Sequence, residues 1–210
     1  MSLDATRVLS FEEYAQVVND LRERAQRSES FQMNLVIFRL SCGCGLRRSE
    51  IAGLNVGDLS VSEGHAKPYI MVRAEIAKGK KARRVPLWWD APTTDDLRAW
   101  KELRQREGAL PRDPFIVAQQ KQPNVKWNRR LSDKSIYRRW QTAIKSSLGE
   151  ERAADLSVHK GRHSFCSLML GIGKKTLTEV RDAAGHADVG TTNKYLHVID
   201  QPDSGDALGI

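Results

Sequence analysis

The chain has 210 residues, of which 40% are hydrophobic and 29% charged, a composition typical of a globular domain. No apolar run approaches the roughly 20 residues of a membrane-spanning helix, and the first residues lack the pattern of a secretory signal. The formal net charge of +8 favours a polyanionic partner, although a generally basic surface gives the same number.

Three cysteines, an odd number, occur in the chain as Cys42, Cys44 and Cys166. The first two form a Cys-Gly-Cys spacing, but no further His or Cys pair completes a zinc pattern. We interpret the three as reduced thiols and predict neither a metal nor another cofactor.

The helices predicted in the first quarter of the chain begin at recognisable start signals. Ser10-Phe11-Glu12-Glu13 is a capping box, and the apolar spacing after it predicts a helix over 11–27. A second apolar helix is predicted over 30–42. A short helix starts near Ser49 and ends at Gly53 or Asn55.

Residues 67–87 change to an alternating pattern, with one extended run from Tyr69 to Ala74 and another from Arg84 to Leu87. This pattern predicts an antiparallel hairpin whose turn is Lys78-Gly79-Lys80-Lys81. The segment 111–130 is predicted as a long loop.

Helical periodicity dominates the rest of the chain. The predicted helices span 93–107, with Thr93 as the cap, 133–147, 160–171, 176–184 and 189–198. The fold class predicted from these elements is mixed α/β, mainly helical, with a small antiparallel sheet.

Six residues scattered over the chain are the candidate catalytic residues: Arg47, Lys78, His159, Arg162, His186 and Tyr195. Two arginines, a lysine and two histidines around one phenol suit attack on a phosphate diester, because a phenol with a pKa near 10 needs help in losing its proton. Taken singly, each has an ordinary structural interpretation as a surface charge, a half-buried phenol or a satisfied buried imidazole.

The contexts of these residues resemble motifs of the tyrosine recombinase (phage integrase) family. The resemblance covers residues 8–198, nearly the whole chain. Its motifs are Gly45–Leu54 followed by Asp58-Leu59, the lysine hairpin Lys78–Leu87 ending in Val-Pro-Leu, His159-x-x-Arg162-His163-Ser164-Phe165, Gly185-His186, and Thr191-Thr192-x-x-Tyr195-x-His197.

The resemblance implies that Tyr195 attacks a DNA phosphate to form a 3′-phosphotyrosine and a free 5′-hydroxyl. It implies that His159 acts as a base or positioning group and that His186 donates a hydrogen bond to the phosphate.

The resemblance also implies roles for three cations. Arg47 and Arg162 would stabilise the charge on the phosphorane oxygens, which planar guanidinium forks suit. Lys78 would protonate the departing 5′-oxygen. No metal ion, ATP or other cofactor is expected.

Two of these assignments have rivals, and a simpler interpretation exists. Arg48 competes with Arg47, and Lys80 competes with Lys78. A basic patch around the hairpin would bind phosphates without catalysis. The candidate DNA contacts outside the reactive set are Lys80, Lys81, Arg83, Arg84 and His163.

The chain departs from the family pattern at two small residues, Gly161 and Ala183, where larger apolar residues are usual. Only 46 residues precede Arg47, so the N-terminal core-binding domain of the family is expected to be absent from this chain. We predict a catalytic domain over 1–200 and a flexible tail over 201–210.

The resemblance implies double-stranded DNA as the partner, a cytoplasmic, nucleoid-associated location and a homotetramer on paired DNA sites. In isolation, we expect a monomer. Without a clamp domain, we expect weak DNA binding. The leading hypothesis is a site-specific recombinase of an integrase, chromosome-resolution or mobile-element type. The alternatives are a type IB topoisomerase-like enzyme and a non-catalytic DNA-binding module of the same fold.

Overall fold

The computed structural model of the chain describes residues 8–62, 64, 67–118, 129–186 and 192. Its helices are α1 (Phe11–Ala25), α2 (Glu29–Phe38), a π-helix (Arg39–Gly43), α3 (Arg48–Gly53), a 3₁₀ turn (Val56–Asp58), α4 (Ala91–Arg106), α5 (Asp133–Leu148), α6 (Glu150–Asp155), α7 (Val158–Gly171) and α8 (Leu177–Ala184). No helix in this described part is long and apolar enough to cross a membrane.

The sheet has three antiparallel strands in the order β1 (Leu59–Ser60), β2 (Tyr69–Val72) and β3 (Arg83–Pro86). The predicted hairpin is confirmed, with Ile70 paired to Val85. However, β2 ends at Val72 rather than at Ala74. The Nε of Arg73 donates to Asp58 Oδ1 at 2.9 Å, and the residues after Arg73 form turns instead of continuing the strand. Strand β1 was not predicted, because two residues show no periodicity.

Helix starts follow capping signals, but α4 and α7 each start two residues before the predicted position. Helix α7 starts early because its cap is Ser157. Ser10 and Glu13 form the predicted capping box of α1. Helix α4 starts two residues before the predicted position, because its cap is Asp90 and not Thr93. The Asp90 carboxylate accepts a hydrogen bond from Thr93 N at 3.2 Å, and Pro92 lies in the first turn, where its missing N–H costs nothing.

The predicted helix over 30–42 is in fact two elements, since α2 ends at Phe38 and the π-helix follows. Single π-turns inserted into α-helices are frequent at functional sites. Here the π-helix lies immediately before the segment that carries Arg47, and it buries the Arg39 side chain. Helix α6 was not predicted, because six residues are too few to show a helical period.

The hydrophobic core lies between α1, α2 and α5, with the largest fully buried side chains including Phe38 and Trp140. A smaller cluster around Phe165 joins α7 to α8. Described residues of the predicted 111–130 loop contain no helix or named strand, as expected. The predicted 189–198 helix lies outside the described residues except for Thr192, which is helical.

The close packing around Gly161 explains why the chain has a glycine where the family usually has a larger apolar residue. A Cβ at this position would lie 2.2 Å from Ser41 Oγ and 2.9 Å from Cys42 Sγ. The absence of a side chain therefore lets α7 pack directly on the π-helix, which places two elements of the candidate site side by side.

Candidate active site

Arg47 is held at the start of α3 by a carboxylate three residues later. Its backbone N donates to Glu50 Oε2 at 2.8 Å, and its Nη1 donates to Glu50 Oε1 at 3.0 Å. Its Nη2 donates to the carbonyl of Gly185 at 3.3 Å. With 20% of its side chain exposed, Arg47 is both anchored and accessible.

Glu50 is a residue of the candidate site that the sequence interpretation missed. Its side chain is fully buried, and Arg83 donates to its two oxygens at 2.8 Å each. Burial opposes ionisation, but hydrogen bonds and charge from Arg83, with a further contribution from Arg47, hold the Glu50 pKa below its ordinary value. The available signal was its place at the third helical position, where a carboxylate completes a cap.

Arg162, on α7, is 2% exposed. Its Nη1 donates to the carbonyl of Gly45 at 2.9 Å, and its Nε donates to His186 Nε2 at 3.3 Å. Its Nη2 is buried without a hydrogen-bond partner among the described residues. Burial, followed by the charge of Arg47, lowers the Arg162 pKa to about 10, so the group is still charged at neutral pH.

His186 follows Gly185, whose φ of +67° ends α8 in the left-handed conformation. Its Nδ1 lies 2.9 Å from Thr192 Oγ1. Because Arg162 Nε always carries a proton, Nε2 must accept, which places the ring proton on Nδ1 facing Thr192. Burial and the charges of Arg162 and Arg47 lower the His186 pKa to about 3, so the ring is neutral.

His159 and Lys78 are both exposed and line one cleft with Arg47. The cleft has a volume of about 360 Å³ and is also lined by Arg48 and Tyr137. Desolvation of the ring by the protein atoms around it, then the charges of Arg162, Arg47 and Lys78, lower the His159 pKa, although part of the side chain stays exposed. The arrangement therefore keeps this imidazole neutral, as a proton acceptor must be.

The two rivals differ in their contacts, although Arg48 lines the same cleft as Arg47. Arg48 forms an ion pair with Asp133 at 2.7 Å and lies over the ring of Tyr137. Lys80 is exposed, with a φ of +53° in the turn that follows Lys78.

The other candidate DNA contacts divide into exposed and buried groups. Lys81 and Arg84 are exposed, and Arg84 lies 4.7 Å from the ring centroid of Tyr69. Arg83 instead points inward to Glu50. His163 is half-buried, with its ring 4.8 Å from that of His159.

Five of the six predicted reactive residues are described, and the structure brings them together around the start of α3, the start of α7 and the end of α8. Tyr195, the predicted nucleophile, lies outside the described residues, as does His197.

The three cysteines are buried, and each is a free thiol that forms no disulfide. Burial raises the pKa of Cys42 and of Cys166 to about 12, which keeps both as thiols.

The fold is similar to that of known recombinases. XerA recombinase superposes with a TM-score of 0.68 at 22% identity over 90% of this chain and 58% of XerA. XerH site-specific recombinase bound to its palindromic difH substrate superposes with a TM-score of 0.67 at 21% identity, over 94% of this chain and 51% of XerH.

Curated relatives are closer in sequence. Tyrosine recombinase XerC of Stutzerimonas stutzeri (strain A1501) is 34% identical over 73% of this chain and 44% of its own length. XerC of Proteus mirabilis is 31% identical over 74% of this chain and 44% of its own length. The chain thus spans about half the length of these relatives. Residues 7–201 match the Phage integrase family, and the chain belongs to that family.

Proposed function

We propose that this chain is the catalytic domain, over residues 1–200, of a site-specific DNA recombinase that cuts and rejoins DNA through a 3′-phosphotyrosine at Tyr195. One observation carries the proposal. Two guanidinium groups, those of Arg47 and Arg83, pair with a single buried carboxylate, Glu50, and the charge of a third, Arg162, interacts with all three of these groups. The cluster keeps an excess of positive charge that a phosphate would neutralise.

The reaction follows from the chemistry of these groups. The Tyr195 phenol attacks phosphorus and passes its proton to His159, while the bond from phosphorus to the 5′-oxygen breaks. Lys78 gives a proton to that oxygen. Arg47 and Arg162 stabilise the charge on the equatorial oxygens, and losing one such donor costs about 3 kcal/mol in the barrier. The phosphotyrosyl bond retains the energy for rejoining, so neither ATP nor a metal ion is needed.

His186 needs a change of tautomer to donate to the phosphate. In this structure its Nε2 accepts from Arg162. When a phosphate engages Arg162, a proton on Nε2 can serve the phosphate, provided that Nδ1 then accepts. Thr192 permits this exchange, because a hydroxyl both donates and accepts.

Double-stranded DNA is the proposed substrate and partner, consistent with the palindromic difH substrate in the XerH complex. We propose a monomer in isolation, a homotetramer on two paired sites, and a cytoplasmic, nucleoid-associated location. The net charge of +8 supports the choice of DNA as the partner.

Covalent trapping tests the function. The protein is mixed with nicked fragments of the DNA that flanks its own gene, and a denaturant-stable protein–DNA adduct is measured. We expect an adduct with the wild type and none with Tyr195→Phe, whose DNA affinity stays within about threefold because one neutral hydroxyl contributes little against the phosphate contacts. Tyr69→Phe, which removes a phenol hydroxyl from β2, is the matched control and keeps the adduct.

The outcomes separate the alternatives. An adduct that persists in Tyr195→Phe contradicts the choice of nucleophile. Relaxation of supercoiled plasmid irrespective of sequence, without strand exchange, indicates a topoisomerase-like enzyme. Salt-sensitive DNA binding with no adduct from any fragment indicates a non-catalytic module.

A further inference from the structure

Two adjacent arginines on β3, both of which were predicted as DNA contacts, differ in their exposure to solvent. Arg84 is exposed and lies over the ring of Tyr69. The Arg83 side chain is only 11% exposed. Because successive side chains point to opposite faces of a strand, one neighbour faces outward and the other faces the candidate site.

The guanidinium of Arg83 is occupied by protein atoms. Its Nη1 and Nη2 each donate to a different oxygen of Glu50 at 2.8 Å. Its Nε donates to the carbonyl of Ala183 at 3.0 Å, in the last turn of α8. A Cβ at Gly185 would lie 2.7 Å from Arg83 Cδ, so the end of α8 packs tightly on this side chain.

The two hydrogen bonds from the Arg83 guanidinium are important for the stability of Glu50, because the Glu50 side chain is fully buried. A buried carboxylate is stable when its oxygens are paired, and two parallel hydrogen bonds from one guanidinium satisfy it with fixed geometry. The remaining bonds of Glu50 go to the backbone and Nη1 of Arg47. Without Arg83, Glu50 would depend on Arg47 alone, and Arg47 would lose its rigid support.

We propose that Arg83 is a positioning residue, which fixes Arg47 through Glu50 and fixes His186 through the end of α8. Arg83 also lies five positions after Lys78 in the same hairpin, so its anchorage ties the base of the lysine loop to both. One side chain thus sets the relative positions of three reactive groups. This role goes beyond DNA binding, and its kinetic test rests on the proposed function.

The kinetic test compares Arg83→Gln with Arg73→Gln. Arg73 is a matched control, because it also bonds both oxygens of a buried carboxylate, Asp58, at 2.9 and 3.0 Å and lies outside the candidate site. At saturating DNA we expect adduct formation to slow about 100-fold in Arg83→Gln, as for a misplaced catalytic group, and less than threefold in Arg73→Gln.

DNA affinity separates positioning from contact. A lost phosphate contact lowers the slope of log K against log salt by about 0.9, whereas a positioning role leaves the slope unchanged. A reduced slope for Arg83→Gln, with an unchanged rate at saturating DNA, overturns the proposal.

A double variant separates positioning from stability. Glu50→Gln in the Arg83→Gln background removes a buried charge that has lost its two hydrogen bonds from Arg83, so we expect part of the lost denaturant midpoint to return. The adduct rate should stay low, because Arg47 is still unsupported. Recovery of the rate together with the midpoint would reduce Arg83 to a stabilising role and overturn the proposal.

The last readout does not depend on activity. The carboxyl group of Glu50 is titrated by ¹³C NMR in the wild type and in both arginine variants. The charged groups that interact with it are Arg47, Arg83 and Arg162. We expect its midpoint to rise in Arg83→Gln and to stay unchanged in Arg73→Gln. An unchanged midpoint in Arg83→Gln overturns the proposal. A wild type that forms no adduct contradicts the proposed function instead and leaves this titration as the deciding result.

Discussion

Two half-buried histidines of the candidate site, His163 and His186, are neutral because partial burial and the nearby cations both lower the pKa of each ring. His163 is half-buried on α7, where burial, followed by His159, Arg162 and Lys160, lowers its pKa from 6.5 to about 4. For an imidazole, a lowered pKa means that the unfolded chain takes up a proton at a higher pH than the folded protein. The stability that depends on the neutral ring is therefore present above pH 6.5 and is lost as the pH falls towards about 4.

His163→Gln tests this sign. Between pH 7 and pH 5 ordinary carboxylates stay ionised, so titrating histidines dominate the change in stability. We expect the free energy of unfolding of the wild type to fall over this interval and that of His163→Gln to fall less. Urea unfolding at both pH values measures the difference, and parallel losses in the two proteins would contradict the assignment.

The candidate reactive residues stand in short motifs that the sequence displays, whereas the side chains that hold them in place do not. Arg47, His159, Arg162 and His186 each stand in a local context that the sequence displays. The pairing of Glu50 with Arg83 joins residues 33 positions apart, so no local spacing predicts it. Read locally, Arg83 is one more basic residue in a basic run.

At the scale of elements, the contact between α7 and the π-helix decides where Arg162 lies. Ser41 Oγ donates to the carbonyl of Val158 at 3.2 Å, and Gly161 lets the two helices meet. This contact brings Arg162 Nη1 to the carbonyl of Gly45. The glycine is therefore part of the support of the site.

Gly161→Ala should destabilise the protein by about 2 kcal/mol, because overpacking outweighs the gain in helix propensity. Thermal or urea unfolding measures the change. Ser41→Ala removes the nearest obstructing atom, so we expect the double variant to be less destabilised than the sum of the single variants. A stabilised Gly161→Ala would show that α7 moves away at little cost.

Helix positions were predictable within a few residues because capping and periodicity act locally. The errors have local causes too: Asp90 caps α4 ahead of Thr93, and the π-turn interrupts the apolar run after Phe38. Helix α6 and strand β1 are too short to show a period.

At the scale of the whole molecule, a buried ionic network joins α1, the π-helix and α4. Arg39 is 2% exposed, donates to Asp96 Oδ2 at 2.8 Å and to the hydroxyl of Tyr14 at 2.5 Å, and lies 3.4 Å from Asp90 Oδ2. Burial, opposed by the charge of Arg39 and reinforced by Asp90, raises the Tyr14 pKa to about 12. The network anchors the π-helix to α1 and α4 through the Arg39 side chain.

Asp96→Asn should lower the free energy of unfolding by about 3 kcal/mol, because it leaves a buried guanidinium without its nearest countercharge. The adjacent Asp95→Asn is the matched control. Asp95 is 64% exposed and pairs with Arg98 at the surface, so we expect a change below about 1 kcal/mol. Equal losses in the two variants, measured by urea unfolding, would contradict a special role for the network.

The family, the fold class and the order of the reactive motifs can be predicted from local sequence patterns, because periodicity, capping and short motifs depend on neighbouring residues. What the amino-acid order does not display is which distant side chains meet. The tertiary structure alone sends Arg83 to Glu50 rather than to the surface and turns His186 Nε2 towards Arg162. Both outcomes depend on burial and on hydrogen bonds from an arginine to a distant side chain, which exist only after the helices and the hairpin have packed together.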